Sequence, residues 1–250
     1  MIKLACEMPT SMLTKLERYM DIDFVLAHEV LQNKAYREYF KKSRRLCILD
    51  NSVHELGEPL PIFDLVKAAN MIDADWVVAP DNLENFDWSQ EQLELMYGHL
   101  PAERVAGVLI GGTPADRAER LKSIRRSSML CLPYRKPRLE WYLEQMPVHN
   151  TVHLLGMSSI LELRAWAALQ QLPRFAYMGL SLDTSKPVKW GLMYRRMEEL
   201  DSLRNAPVGS AQLLSLPPMD DAQHAITELN LLHLREILKP NGLLTSSRHS

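Results

Sequence analysis

VAGVLIGGTPADRAERLKSIRRSSMLCL, residues 105–132, decides the fold. Val105–Ile110 is a near-continuous apolar run, Gly111-Gly112-Thr113 is turn chemistry, and Pro114 to Ile124 then places apolar residues at three- and four-residue steps. A second apolar run, Met129–Leu132, closes the stretch. An unbroken apolar run is what a strand buried on both faces needs, and a helix between two such runs makes a parallel βαβ unit. Pro114 fits the first helical turn, where its missing N–H breaks no bond.

The same unit recurs in both directions. Apolar runs at Ile2–Cys6, Phe24–Ala27, Leu46–Leu49, Trp76–Ala79, Val105–Ile110, Met129–Leu132, Val152–Leu155 and Phe175–Leu182 start 22 to 30 residues apart. Helical patterning fills most gaps: Thr10 to Met20, Leu60 to Ile72, Ser89 to Leu100, Pro114 to Ile124 and Ser159 to Leu172. Pro61 fits a first turn, and Ser89 and Ser158 or Ser159 fit N-caps. Eight such units predict an α/β chain folded as a (β/α)8 TIM barrel, ahead of a doubly wound open sheet. No glycine-rich phosphate fingerprint follows the first strand, which weakens a dinucleotide-binding version of the open sheet.

Past residue 185 the pattern changes. Trp190 to Leu203 reads as a helix, Asn205 to Met219 as a proline-containing loop, and Asp220 to Leu238 as an amphipathic helix stopped by Pro240. The expected division is a catalytic barrel over 1–204, a loop over 205–219, and a C-terminal helix with a polar tail over 220–250, all one domain. The composition of the 250 residues, 46% hydrophobic and 24% charged, is that of a globular chain and excludes disorder, collagen and coiled coil. Lys and Arg number 29 against 31 Asp and Glu, net −2, so bulk charge does not mark a nucleic-acid binder. No apolar run nears the roughly 18 residues that span a membrane, and the N-terminus does not read as a secretory signal. Cys6, Cys47 and Cys131 have no metal-ligand spacing and read as reduced, buried thiols, so no metal is expected and the expected setting is cytoplasmic.

In such a barrel the chemistry gathers at the C-terminal ends of the strands. Strand 3 ends in Asp50-Asn51-Ser52, strand 4 in Pro80-Asp81-Asn82, strand 5 in Gly111-Gly112, strand 7 in Leu155-Gly156-Met157 and strand 8 in Asp183-Thr184-Ser185. Aspartates after strands often cap the next helix. Three at one mouth with two glycine sites instead suggest attack, proton transfer and recognition shared among Asp50, Asp81 and Asp183.

The ordered motifs resemble the tRNA-guanine transglycosylase superfamily over roughly residues 45 to 190. Leu49-Asp50-Asn51-Ser52, Ala79-Pro80-Asp81, Gly107 to Gly112, His153-Leu154-Leu155-Gly156 and Ser181 to Ser185 stand where that family has an Asp-Ser-Gly-Gly turn, a base-reading Asp, a Gln-Gly-Gly turn, a Leu-Met-Gly turn and a nucleophilic Asp. The resemblance implies Asp183 as nucleophile and Asp50 as general acid/base. It further implies a base pocket of Asp81, Ser52, Ile110, Gly111, Gly112, Leu155, Gly156 and Met157. There are departures: Ile110 replaces the family's glutamine, Val53-His54-Glu55 follow Ser52 in place of a double glycine, and no cysteine beyond Cys131 exists to build the C-terminal zinc site.

A short, zinc-free relative is most similar to the phage DNA 7-deazaguanine transglycosylases. The implied partners are DNA, with its guanine flipped out or single-stranded, and a free 7-deazaguanine base such as preQ0 or preQ1. No cofactor is implied, and a phage-encoded chain would act in the host cytoplasm. A tRNA substrate, a carboxylate-dependent barrel hydrolase and a non-catalytic nucleic-acid-binding subunit are the alternatives.

DNA binding calls for local positive charge. Residues 117 to 138 carry Arg117, Arg120, Lys122, Arg125, Arg126, Arg135, Lys136 and Arg138 against one acid, and Arg135, Lys136 and Arg138 follow strand 6 toward the mouth. Lys186, Lys189, Arg195 and Arg196, with Trp190 as a stacking surface or a core residue, follow strand 8. Lys41-Lys42-Ser43-Arg44-Arg45 precedes strand 3 and reads as solvated surface on the opposite end. His28 and His54 are possible mouth residues, with His149, His153, Glu55 and Glu58 behind them.

Overall fold

The structure is a computed structural model, and it describes residues 1–134, 138–145, 149–157, 159–197 and 219–239. Eight parallel strands are β1 (Lys3–Cys6), β2 (Asp23–Leu26), β3 (Cys47–Asp50), β4 (Trp76–Val78), β5 (Val105–Val108), β6 (Met129–Leu132), β7 (Thr151–Leu154) and β8 (Gly179–Thr184). The ladder runs β1-β8-β7-β6-β5-β4-β3-β2, so the last strand pairs with the first and the wall curls round. Between β1 and β2 the seam is drawn together by single bonds: Leu4 O accepts from Asp21 N at 2.8 Å and Ile22 N at 3.4 Å. Leu4 N donates in return to the Asp21 carboxylate at 3.0 Å. This is a (β/α)8 TIM barrel.

Most strand positions are apolar on both faces because each face meets a different core; His153 on β7 and Ser181 and Asp183 on β8 are buried polar exceptions. Inward residues such as Phe24, Ile48, Val78, Ala106, Val108 and Met129 fill the barrel. Their neighbours, among them Val25, Leu49, Val77, Leu130 and Leu180, pack against the helices. Those helices are α1 (Thr10–Leu16), α2 (Ala27–Gln32), α3 (Lys34–Lys42), α4 (Val53–Leu56), α5 (Ile62–Ile72), α6 (Phe86–His99), α7 (Pro114–Ile124), α8 (Arg138–Gln145), α9 (Ile160–Gln170), α10 (Lys186–Leu192) and α11 (Asp221–Leu238). Among the described residues none is long and apolar enough to cross a membrane.

Several sequence expectations are corrected. α6 starts at Phe86 with Asn85 as its cap, accepting from Trp88 N at 3.1 Å. Ser89 therefore lies inside the helix, buried, with its hydroxyl on the carbonyls of Asn82 and Asn85. Pro61 precedes α5 as its N-cap rather than entering its first turn. β8 starts at Gly179 and not at Phe175, because residues 175–178 turn back through Phe175 N on Leu172 O and Met178 N on Phe175 O. Where a helix is expected over Trp190 to Leu203, α10 runs from Lys186, with Pro187 in its first turn, to Leu192, and 198–203 lie outside the described residues. The predicted loop over 205–219, apart from Met219, and the polar tail lie outside the described residues. Ser159 caps α9, Thr113 and Asp116 form a capping box on α7, and Asp220 and Gln223 form another on α11. Arg45, expected as solvated surface, binds the buried Asp23 at 2.7 Å and ties β2 to the chain entering β3.

Candidate active site

The C-terminal ends of the strands surround a cavity of about 670 Å³, a volume suited to a small-molecule or nucleoside-sized ligand. Asp50, Asp81 and Asp183 all line it, each below 10% exposure.

Asp183 ends β8 and is the most firmly held. Its Oδ1 accepts from Gly156 N at 2.9 Å and lies 3.1 Å from His153 Nε2. The turn after β7 is stitched to β8 as well, with Met157 N on Asp183 O and Thr184 Oγ1 on Met157 O, each at 2.8 Å. Gly156 makes this turn at φ 61°, a left-handed conformation that a side chain disfavours, and so aims its N–H at the carboxylate. His153 stands beneath, fully buried, with Nδ1 2.8 Å from Ser181 Oγ and its ring stacked on Phe24 at 5.3 Å.

Asp50 ends β3 and accepts from Ser52 N at 2.7 Å. Ser52 takes φ 64°, unusual for a residue with a side chain, to bring that N–H round. Asn51 cross-links two strand ends: its amide donates to Asp81 Oδ1 at 2.8 Å and to Ala79 O at 2.9 Å. Burial pushes the Asp50 carboxyl well above the ordinary range, with the charges of Glu55, Asp183 and Asp81 adding to it. Asp81 is raised by burial too, opposed by the Asn51 hydrogen bond and the Arg120 charge.

Glu7 and Glu84, outside the sequence-derived set, add to the charge pattern of the cavity. Glu7, directly after β1, lines the cavity, and burial with the charges of Asp183 and Glu55 raises it well above the ordinary range against the pull of Lys189. Lys189 is in turn lowered by burial, opposed by Glu7 and Glu55. Lys186 is lowered by burial and by Lys189. Glu55, Glu58 and Glu84 extend the acidic lining.

Of the expected pocket, Leu155, Gly156 and Met157 line the cavity, as do His54, Lys186 and Lys189. Other expected members do not. Ile110 is packed in the barrel core, and Ser52 is wholly buried behind the wall. Gly111 and Gly112 stand off the cavity; a Cβ on Gly111 would lie 2.8 Å from Asp116 Cβ, so that glycine admits α7 and not a ligand. His28 is buried away from the cavity, its imidazole lowered by burial.

The basic stretch is also redistributed. Arg138 is 1% exposed and donates to the carbonyls of Leu132 and Leu155 and to Glu162. Arg117 and Arg120 are buried, while Lys122 pairs with Glu119 and Arg126 with Glu94. Trp190 is a core residue at 6% exposure, which removes it as a stacking surface. Arg195 and Arg196 follow α10 and do not line the cavity. Arg135 and Lys136 lie outside the described residues.

Glu7, Asn51 and His153 were legible by rules already in use. Glu7 is the first residue after an apolar run, Asn51 adjoins Asp50, and period-two alternation puts His153 on the inward face beside Ser181. Among the described residues no group of His, Cys, Asp or Glu has the arrangement of a metal site.

The arrangement offers a carboxylate with one oxygen anchored and a second, buried carboxyl with raised proton affinity, which are the parts of a double displacement. No family model and no curated protein matches the sequence. Among solved structures, N-(5'-phosphoribosyl)anthranilate isomerase from Pyrococcus furiosus is similar with a TM-score of 0.45 at 13% identity, over 94% of this chain and 98% of that one.

Proposed function

We propose that the chain is a base-exchange transglycosylase that replaces guanine in DNA by a 7-deazaguanine. The observation that carries this reading is the pairing, in one cavity, of an anchored Asp183 with a buried Asp50 whose carboxyl holds a proton more readily than an ordinary aspartate. Asp183 attacks C1′ of the deoxyguanosine; the Asp–C1′ bond forms, the C1′–N9 bond breaks, and Asp50 gives the departing base a proton. Asp50, now ionised, takes the N9 proton of the incoming deazaguanine, N9 attacks C1′, and Asp183 is released. Two displacements retain the anomeric configuration. In this reading Asp81, set by Asn51, accepts from the donors of the base's Watson–Crick edge. The guanine reaches this depth only when unstacked, from a flipped or single-stranded nucleotide. Action on phage DNA in the host cytoplasm, giving DNA resistant to restriction, follows from the same reading.

One observation favours a second reading, hydrolysis of a free nucleoside by the same carboxylates. Among the described residues, seven acids, Glu7, Asp50, Glu55, Glu58, Asp81, Glu84 and Asp183, line the cavity with Lys186 and Lys189, a balance that disfavours a phosphodiester.

Purified protein given guanine-containing DNA, tRNA or guanosine with radiolabelled guanine separates these. Label entering DNA alone is the expected result. Label entering tRNA keeps the chemistry and changes the polymer. Guanine released from guanosine with no label incorporated overturns base exchange in favour of the hydrolase.

A further inference from the structure

We propose that His153 is a positioning residue that fixes which oxygen of Asp183 attacks and speeds the second displacement, a role that rests on the base-exchange reading. His153 is fully buried and does not line the cavity, so it touches no substrate. Both ring nitrogens are engaged on β8: Nε2 lies 3.1 Å from Asp183 Oδ1, and Nδ1 lies 2.8 Å from Ser181 Oγ. A carboxylate oxygen accepts, so Nε2 is the donor to Asp183 Oδ1, while Ser181 Oγ partners Nδ1 and also lies 3.5 Å from Val152 O. The stack on Phe24, with ring planes 13° apart, holds the imidazole in that plane.

Gly156 N–H reaches the same Oδ1 at 2.9 Å. Two donors on one oxygen leave Oδ2 to make the bond to C1′. In the resulting ester Oδ1 is the carbonyl oxygen. During the second displacement the C1′–Oδ2 bond breaks as N9 of the incoming base bonds to C1′, Asp50 takes the N9 proton, and the electron pair returns to the carboxylate. The His153 and Gly156 donors lie where that returning charge is shared, and they bind a carboxylate more strongly than an ester carbonyl. The pair therefore favours release of the sugar and keeps the covalent state short-lived.

The test uses the full chain, a guanine-containing single-stranded oligonucleotide and radiolabelled guanine. Two quantities are read: incorporated label, and the fraction of protein carrying DNA after denaturing quench. His153→Leu is expected to lower turnover about 10- to 100-fold, the worth of one hydrogen bond to a charged group, while the covalent fraction rises. His153→Gln, whose amide N–H reaches toward the Nε2 position, should restore most of the turnover. Where His153→Leu does not fold, Ser181→Ala removes the partner of Nδ1 and should move both quantities the same way by a smaller factor. Turnover and covalent fraction falling together in a folded variant, or neither changing, overturns the role of His153 alone. A wild-type chain that forms no adduct and incorporates no label overturns the base-exchange reading, and this inference with it.

Discussion

Replacing Arg138 by leucine separates two meanings of a basic residue beside the mouth. The guanidinium is 1% exposed and spans three pieces of chain: Nη1 donates to Leu132 O at 3.2 Å and to Leu155 O, and Nε pairs with Glu162 on α9. Leu132 O keeps a second donor in Leu155 N at 2.9 Å, so the losses in Arg138→Leu fall on Leu155 O and on Glu162. Breaking a buried ion pair by removing one partner costs about 3–5 kcal/mol. The Glu162 side chain keeps 21% exposure and some hydration, which places the cost near the lower end of that range. About 3 kcal/mol is a large share of a typical domain's roughly 5–15 kcal/mol.

For a chain of this size that lowers Tm by about 6–12 °C, read by circular dichroism at fixed pH and salt. Exchange activity should fall as well, because Leu155 precedes the glycine whose N–H holds Asp183. An unchanged Tm, with the salt dependence of DNA binding flattened by about one phosphate contact, would refute the buried-strut account and return Arg138 to the nucleic-acid surface.

Gly191→Ala should loosen the C-terminal helix: the new Cβ would sit 1.8 Å from Thr227 Oγ1 and 3.1 Å from Gln223 O, where α10 crosses α11. Overpacking of this kind costs about 1–3 kcal/mol, and a denaturant midpoint equal to wild type would contradict it. Asp50→Asn should abolish exchange yet stabilise the protein at pH 8. Burial raises the folded-state carboxyl above its unfolded value, so at pH between the two values the folded chain holds a proton that the unfolded chain has lost. Stability from this group is full below the unfolded value, falls as pH rises toward the folded one, and stays low above it. The Asn variant escapes that loss, and urea titrations showing it less stable than wild type at pH 8 would overturn the sign.

The strands were legible because a barrel strand buried on both faces is apolar at most positions, and eight such runs recur at near-regular spacing. Carboxylates at strand ends were legible for the same reason, since a charge directly after Leu49 or Leu182 interrupts that rule. Local charge misled where a long side chain turned inward. Arg117, Arg120 and Arg138 look like a basic face in the sequence, yet each buries its stem and spends its donors on the protein: carbonyls of Gly111, Val108 and Leu132, and the carboxylates of Glu144 and Glu162. Strand-end glycines misled likewise, because Gly111 makes room for a helix while Gly156 makes a donor turn, and the sequence shows both only as glycine.

The buried histidine follows from the architecture that hides it. In a parallel barrel the N–H groups within the strands are committed to the ladder, so an inward carboxylate at a strand end takes its donors from beyond the strand, as Asp50 does from Ser52 N. Donors must come from a turn above or from a side chain below. For Asp183 the turn supplies Gly156, and the layer beneath supplies His153, which the β7–β8 register sets beside Ser181 two residues before the aspartate. Small neighbours give the ring its room: Cys131 is its register partner on β6, and Ala5 is the partner of Asp183 on β1. An aliphatic residue at 153 would fill the same barrel layer but leave the carboxylate with a single donor. The polar layer under the mouth thus trades apolar packing for control of one oxygen atom, a sensible exchange only where the other oxygen has work to do.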